Sequence, residues 1–257
     1  MRFIDTHTHL YDEAFDSDRQ QVMQRSEDQG VDRWVFPAID SSSFAAQLAL
    51  YGQYRGRAFM GMGLHPTSVA QNWQDELDFA LNELKAHPER YVAVGEIGLD
   101  YYWSRDFAQQ QRQVLKAQLE YASKAGLPVI IHERNATADM MEVMQPFKGR
   151  LTGVFHAFTG SAETYRRIAA LTGFKVGIGG VVTFKNAGIA KTVSQIPLED
   201  IVLETDSPYL TPAPFRGKRN ESGYIPLIAA KVAEVKGIDI KEVAEVTTEN
   251  AEKLFKI

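Results

Sequence analysis

The chain has 257 residues, 44% hydrophobic and 24% charged, with a formal net charge of −5 and no cysteine. That length buries one large core, and the missing thiols exclude disulfide scaffolds, zinc ribbons, iron–sulfur clusters and cysteine nucleophiles. The acidic balance argues against coating nucleic acid or an anionic membrane through bulk charge, leaving only a local basic strip for such contacts. The first residues, MRFIDTHTHL, contain no apolar signal region, and no stretch approaches the ~20 apolar residues of a membrane span. The expectation is a globular, cytoplasmic monomer.

In chain order, short apolar and β-branched runs fall at 3–5, 34–39, 58–64, 92–97, 129–132, 153–156, 175–178 and 201–204. Stretches of helical period separate them, which is the pattern of repeated βα units on a parallel sheet. A helix predicted at 19–29 stops at Gly30, one at 107–124 stops at Ala125-Gly126, and one at 162–171 stops just before Gly173. After the eighth strand an irregular, proline-rich stretch at 207–226 leads into helices at 226–236 and 240–253. Nothing reads as a linker. Eight strands predict one domain over 1–257, an α/β TIM (β/α)8 barrel with a C-terminal helical extension.

Five of the six histidines lie at or just beyond predicted strand ends: His7, His9, His65, His132 and His156, with His87 alone at a helix end. Residues two apart on a strand share a face, so Asp5, His7 and His9 are expected in one row and Glu204 and Asp206 in another. Glu96 and Asp100 reach the same rim from the fourth strand, and that rim is where βα barrels carry their chemistry. One histidine at a strand end is usually a structural hydrogen-bonding group. Five histidines with carboxylates on one rim point instead to hard or borderline divalent cations such as Zn, Mn, Mg, Fe or Co. Glu96, between the His7/His9 pair and His132/His156, is the natural bridge if two metals are bound, an arrangement suited to hydrolysis at phosphorus or a carbonyl.

The motifs DTHTHL (5–10), GLHP (63–66), VGEIGLDYY (94–102), HAFTG (156–160), ETDSPYLTP (204–212) and FRGKRNE (215–221) resemble the TatD family of metal-dependent deoxyribonucleases, in order and over essentially the whole chain. The resemblance implies an amidohydrolase-like TIM barrel that hydrolyses DNA, as an endonuclease or a 3′ to 5′ exonuclease. It implies one divalent metal on His7, His9, Glu96 and Asp206 and a second on Glu96, His132 and His156, with His65 and Glu204 as further active-site residues. Mg, Mn or Zn would serve. Two departures stand out. HERNAT replaces a more usual HxRxA stretch, keeping Arg134 but placing Glu133 beside it, and Ala157 stands where cysteine is common. Neither is a ligand position, so both bear on substrate preference.

Asp206 is expected to accept a proton from the attacking water while ligating. Glu204 is a candidate for orienting a histidine or a water. Arg216, Lys218 and Arg219 form a basic strip just after the metal-bearing strand, and Tyr101, Tyr102, Trp103, Phe158, Tyr209 and Phe215 are rim aromatics able to stack on single-stranded bases, two or three of them being expected to do so. The strip and aromatics favour DNA, preferably single-stranded, over a rival assignment as a small-molecule amide, ester or lactone hydrolase of the same superfamily. A second rival, a nonenzymatic binding barrel, conflicts with an intact ligand set.

Overall fold

Parallel strands need long crossovers, and the computed structural model, which describes residues 1–257, supplies them with helices. The order is β1 (Phe3–Asp5), α1 (Arg19–Asp28), β2 (Val31–Phe36), α2 (Phe44–Gln53), β3 (Ala58–Met62), α3 (Trp73–Ala86), β4 (Tyr91–Asp100) and α4 (Ala108–Ala125). Then follow β5 (Val129–Arg134), α5 (Thr137–Met144), β6 (Gly153–Phe155), α6 (Ala162–Ala169), β7 (Phe174–Ile178), α7 (Ile189–Val193), β8 (Ile201–Leu203), α8 (Ile225–Lys236) and α9 (Ile240–Phe255). The strands pair in sequence order, every pair parallel. The seam between first and last is tied just beyond the strands: the Thr6 N–H and hydroxyl donate to the Leu203 carbonyl at 3.1 and 3.0 Å, and the Asp206 N–H donates to the His7 carbonyl at 2.9 Å. The result is a TIM barrel.

Side chains alternate across each strand, and the burial pattern follows. Ile4, Val35, Ala93, Ile130, Val154 and Val202 form one apolar set that no residue of α1–α8 joins, as the lining of a closed barrel must. Phe3, Trp34, Val94, Ile131, Phe155 and Leu203, one position along, pack instead in the layer that includes the helices. The inner set is completed by Ala251, Leu254 and Phe255. The end of α9 therefore plugs the floor of the barrel, opposite the rim that carries the histidines. It is held there by Asn250, whose amide donates to the Leu198 and Ile201 carbonyls at 2.9 and 2.8 Å. The predicted C-terminal extension is thus structural. No helix is long and apolar enough to cross a membrane.

Strand positions match the sequence expectation, with shifted ends. The second strand, expected at 34–39, runs Val31–Phe36, because it starts directly after the turn at Gly30 and stops before Pro37, which has no N–H for a ladder. The fourth extends to Asp100 because Gly98 pairs with His132 and Asp100 with Arg134. A side chain at Gly98 would overlap the His132 carbonyl.

Candidate metal centre

The geometry of the centre begins with an irregularity in β4. Val94 pairs with Val129 but Ile97 with Ile131, so β4 has one residue more than β5 over this interval. An extra residue reverses which face the following side chain takes. Here it turns Glu96, only 2% exposed, into the barrel mouth, while the backbone keeps its bonds through the Glu96 N–H to the Ala38 carbonyl at 3.1 Å and the Ala38 N–H to the Gly95 carbonyl at 3.0 Å.

The two oxygens of Glu96 face different groups. Oε2 lies 3.1 Å from His7 Nε2 and 3.8 Å from His9 Nε2, and Asp206 Oδ1 closes this first set at 3.7 and 3.5 Å from the same nitrogens. Oε1 lies 2.7 Å from His156 Nε2, 3.0 Å from His132 Nδ1 and 3.1 Å from His65 Nε2. No lysine or arginine shares in either set. Lone-pair atoms this close, His7 Nε2 and His9 Nε2 being 3.2 Å apart, are the donor chemistry of a divalent cation, and the residues fit one in each set.

Neighbouring groups fix which ring nitrogen is free. The Tyr11 hydroxyl donates to the Pro37 carbonyl at 2.5 Å and therefore accepts from His9 Nδ1 at 2.8 Å, leaving His9 Nε2 unprotonated. His132 Nε2 donates to Asp100 Oδ2 at 2.9 Å, leaving Nδ1 free toward Glu96. Carboxylate or hydroxyl partners of this kind orient metal-binding histidines. His65 is set the other way: the Thr67 N–H donates to its Nδ1 at 3.1 Å, so its proton sits on Nε2 and points at Glu96. That makes His65 a proton donor at the edge of the second set.

The carboxylates and histidines hold each other's charges. Burial pushes the Glu96 carboxyl up, but His156, His65 and His7 outweigh it and hold it well below the usual carboxylate range. Burial opposes charge on His156 too, yet Glu96 and Glu204 lift it well above an ordinary histidine. Burial and the neighbouring His156 lower His7. Burial raises the Asp206 carboxyl, but the surrounding His9, His156 and His7 outweigh it and hold it below its ordinary value.

Glu204, fully buried, accepts the Ala157 N–H with Oε1, which is also 3.7 Å from His156 Nδ1. Its Oε2 and the His156 Nδ1 have no partner. Gly177 leaves the space that this carboxylate fills, since a Cβ there would overlap it. Asp5 does not join the row of His7 and His9: its carboxylate accepts from Thr205 N–H and hydroxyl at 2.9 and 2.5 Å and from the Ser222 hydroxyl at 2.5 Å. The chain bends after β1, so strand alternation no longer applies there. Burial raises this carboxyl to about 7.

A cleft of about 660 Å³ opens above the two sets, with His9, His65, Glu96, His132, His156 and Asp206 in its wall beside Trp103 and Tyr209. The exposed Trp103 and Tyr209 are free to stack, and Tyr102 is exposed next to them. Tyr101 instead donates its hydroxyl to Asp139 at 2.9 Å, pinning the loop after β4 to α5, and Phe158 is buried in the helix-side core. Phe215 stacks on Tyr224 at 4.8 Å. None of Arg216, Lys218 and Arg219 lines the cleft. Arg219 departs most from expectation: both its terminal nitrogens bond Asp18, at 2.8 and 2.7 Å, and it donates to the Ala14 carbonyl at 2.6 Å. It fastens the loop after β8 to the start of α1. Tyr11, Thr67 and the bond of Asp100 to His132 were not foreseen, although Tyr11 and Thr67 each stand two residues after a rim histidine.

The sequence model of the family described as TatD related DNase matches residues 4–256. The chain is 38% identical over 256 residues to a protein named uncharacterized metal-dependent hydrolase YabD from Bacillus subtilis strain 168, covering 99% of each. It is 33% identical to a protein of Pantoea vagans strain C9-1 named 3′-5′ ssDNA/RNA exonuclease TatD, again covering 99% of each. The crystal structure of YJJV, a TatD homolog from Escherichia coli K12, superposes with a TM-score of 0.93 at 30% identity, covering 100% of this chain and 98% of that one.

Proposed function

This chain belongs to the family of TatD related DNases, metal-dependent hydrolases, and from that premise we propose that it hydrolyses DNA phosphodiester bonds as a 3′ to 5′ exonuclease acting best on single strands. The observation that carries the reading is the division of Glu96 between two nitrogen-rich sets on the floor of one open cleft. Its support in substrate choice is the exposed aromatic wall of Trp103 and Tyr209 and the name of the Pantoea relative.

In this reading His7, His9, Glu96 and Asp206 hold one divalent ion, and Glu96, His132 and His156 hold the other; Mg, Mn or Zn suits these donors. When bound, such ions supply Lewis acidity toward a phosphoryl oxygen and make water more acidic. Asp206, the most open of the ligating carboxylates with its side chain 15% exposed, takes the proton of the attacking water on its free oxygen. His65 donates a hydrogen bond from its Nε2–H toward the departing oxygen, the tautomer being set by Thr67. The Glu204 carboxylate backs the His156 ring, its Oε1 3.7 Å from Nδ1. Trp103 and Tyr209 stack on bases, and the exposed Arg216 and Lys218 meet phosphates farther along the strand.

The decisive experiment uses 5′-labelled and 3′-labelled single strands, duplex DNA and RNA, with the protein stripped by chelator and reloaded with Mg, Mn or Zn. Stepwise shortening from the 3′ end of single strands, absent after stripping and restored by reloading, is expected. Glu96→Ala should lose at least one bound metal and fall below detectable turnover, while His87→Ala, at a surface helix end, stays near wild type. Full turnover after verified metal loss would overturn the reading. Hydrolysis of small esters or lactones without any nuclease activity would transfer it to the small-molecule hydrolases.

A further inference from the structure

Beside the metal cleft lies a second cavity of about 440 Å³, a size suited to a small organic ligand. Glu133, Arg134, His156, Ala157 and Thr159 belong to both walls, so the two spaces adjoin. The side cavity is lined by Tyr102, Met141 and Phe158 together with the polar Asn135 and Thr164. This is a mixture of flat apolar surface and hydrogen-bonding groups.

Arg134 stands on the threshold. It follows His132 by two residues on β5, which puts it on the same face and ~6.6 Å farther along the strand. Its guanidinium lies 3.6 Å from the centroid of the Tyr102 ring and 5.6 Å from that of Trp103, and it makes no ion pair. Its charge is felt by Asp100, but that carboxylate bonds His132. The adjacent Glu133 is engaged in capping α5, accepting the Ala136 N–H at 2.8 Å and the Thr137 hydroxyl at 3.1 Å. A guanidinium placed over an aromatic ring with no carboxylate partner keeps its N–H donors available, and that fork matches a phosphate.

We infer that the side cavity is a nucleoside subsite and that Arg134 clamps the phosphate neighbouring the scissile one. The inference rests on the phosphodiesterase reading above and assigns the nucleoside and phosphate next to the scissile bond to β5 and the loop after β4, leaving the basic strip after β8 to phosphates farther along the strand. It also gives HERNAT a role: Glu133, the unusual residue there, fixes the start of α5, while the retained Arg134 and Asn135 face the substrate.

The test uses the metal-loaded full chain and two readouts: the Kd for thymidine 5′-monophosphate by calorimetry, and the ratio of kcat/KM for a deoxytrinucleotide to that for bis(p-nitrophenyl) phosphate. In Arg134→Gln the Kd is expected to rise about tenfold or more, the loss of a charge-assisted hydrogen bond, and the ratio to fall by at least the same factor. Arg134→Lys, a charge without the fork, should fall between, and Tyr102→Ala should weaken both readouts several-fold by removing the platform. Arg90→Gln, at the opposite end of the barrel, should move neither. Arg134 is exposed, so the variants should fold, with metal content and melting temperature as checks. Unchanged Kd and ratio in Arg134→Gln would overturn the subsite even if DNA is cleaved. If the wild type cleaves no oligonucleotide, the nuclease reading fails by itself, and the Kd alone decides: a tenfold rise keeps the subsite, no rise removes it.

Discussion

Which nitrogen of a histidine is free is decided here by single side chains outside the ligand sets. Tyr11 removes one choice for His9, and Asp100 removes it for His132. Replacing such partners in other sites costs ~10–100-fold in metal affinity or activity, so Tyr11→Phe and Asp100→Asn should each weaken metal binding by about that factor, measured by competition with a chromophoric chelator. Thr67 gives His65 the opposite tautomer, so Thr67→Val, which keeps the backbone N–H bond to Nδ1, should leave metal binding unchanged. Equal weakening by all three would mean that His65 ligates as well. The histidines themselves were legible as a group because they recur at strand ends. Their partners were not, because a tyrosine or threonine two residues later looks in sequence like any other loop residue.

At the scale of elements, the strands were readable from their β-branched runs and the helices from their stops. Gly126 and Gly237 adopt left-handed conformations at the ends of α4 and α8, and both helices were foreseen. Helices α2, α3, α5 and α7 have no glycine at the C-cap, ending at Tyr54, His87, Gln145 and Ser194, and were not individually placed. The bulge in β4 has no sequence signature beyond Gly95, yet it decides where Glu96 points. The loop after β8 was read as a phosphate strip because its charges cluster directly after the metal-bearing strand, whereas folding brings Asp18 to Arg219. That pair predicts a pH effect. Hydrogen bonds from Arg219 hold the Asp18 carboxyl below its ordinary 3.8. A lowered carboxyl pKa stabilises the fold above the unfolded value, and the contribution disappears as pH falls through the folded one. The melting temperature of the wild type should therefore exceed that of Arg219→Gln at neutral pH, with the gap closing as pH drops below about 3.8. A gap that persists at pH 2 would show that Arg219 acts through packing on Phe15, whose ring centroid lies 4.5 Å away.

Across the whole molecule, the inner set of the barrel is small and depends on its floor. Leu254 and Phe255 are buried against strands rather than against another helix. Cutting such side chains to alanine typically costs about 2–5 kcal/mol for leucine and 3–5 kcal/mol for phenylalanine. Leu254→Ala and Phe255→Ala should each show losses in this range by urea denaturation. Effects under about 0.5 kcal/mol, as at a free surface, would mean that the plug is dispensable.

The seam between β1 and β8 also has a consequence for how the protein is made. In synthesis His7 and His9 come before Asp206, which follows 199 positions behind His7, and the backbone bonds that bring them together cross that seam. Every nascent or truncated chain ending before residue 206 therefore lacks a ligand of the first set and the closure that positions the others. Synthesis itself thus delays the complete ligand set until the chain has passed residue 206.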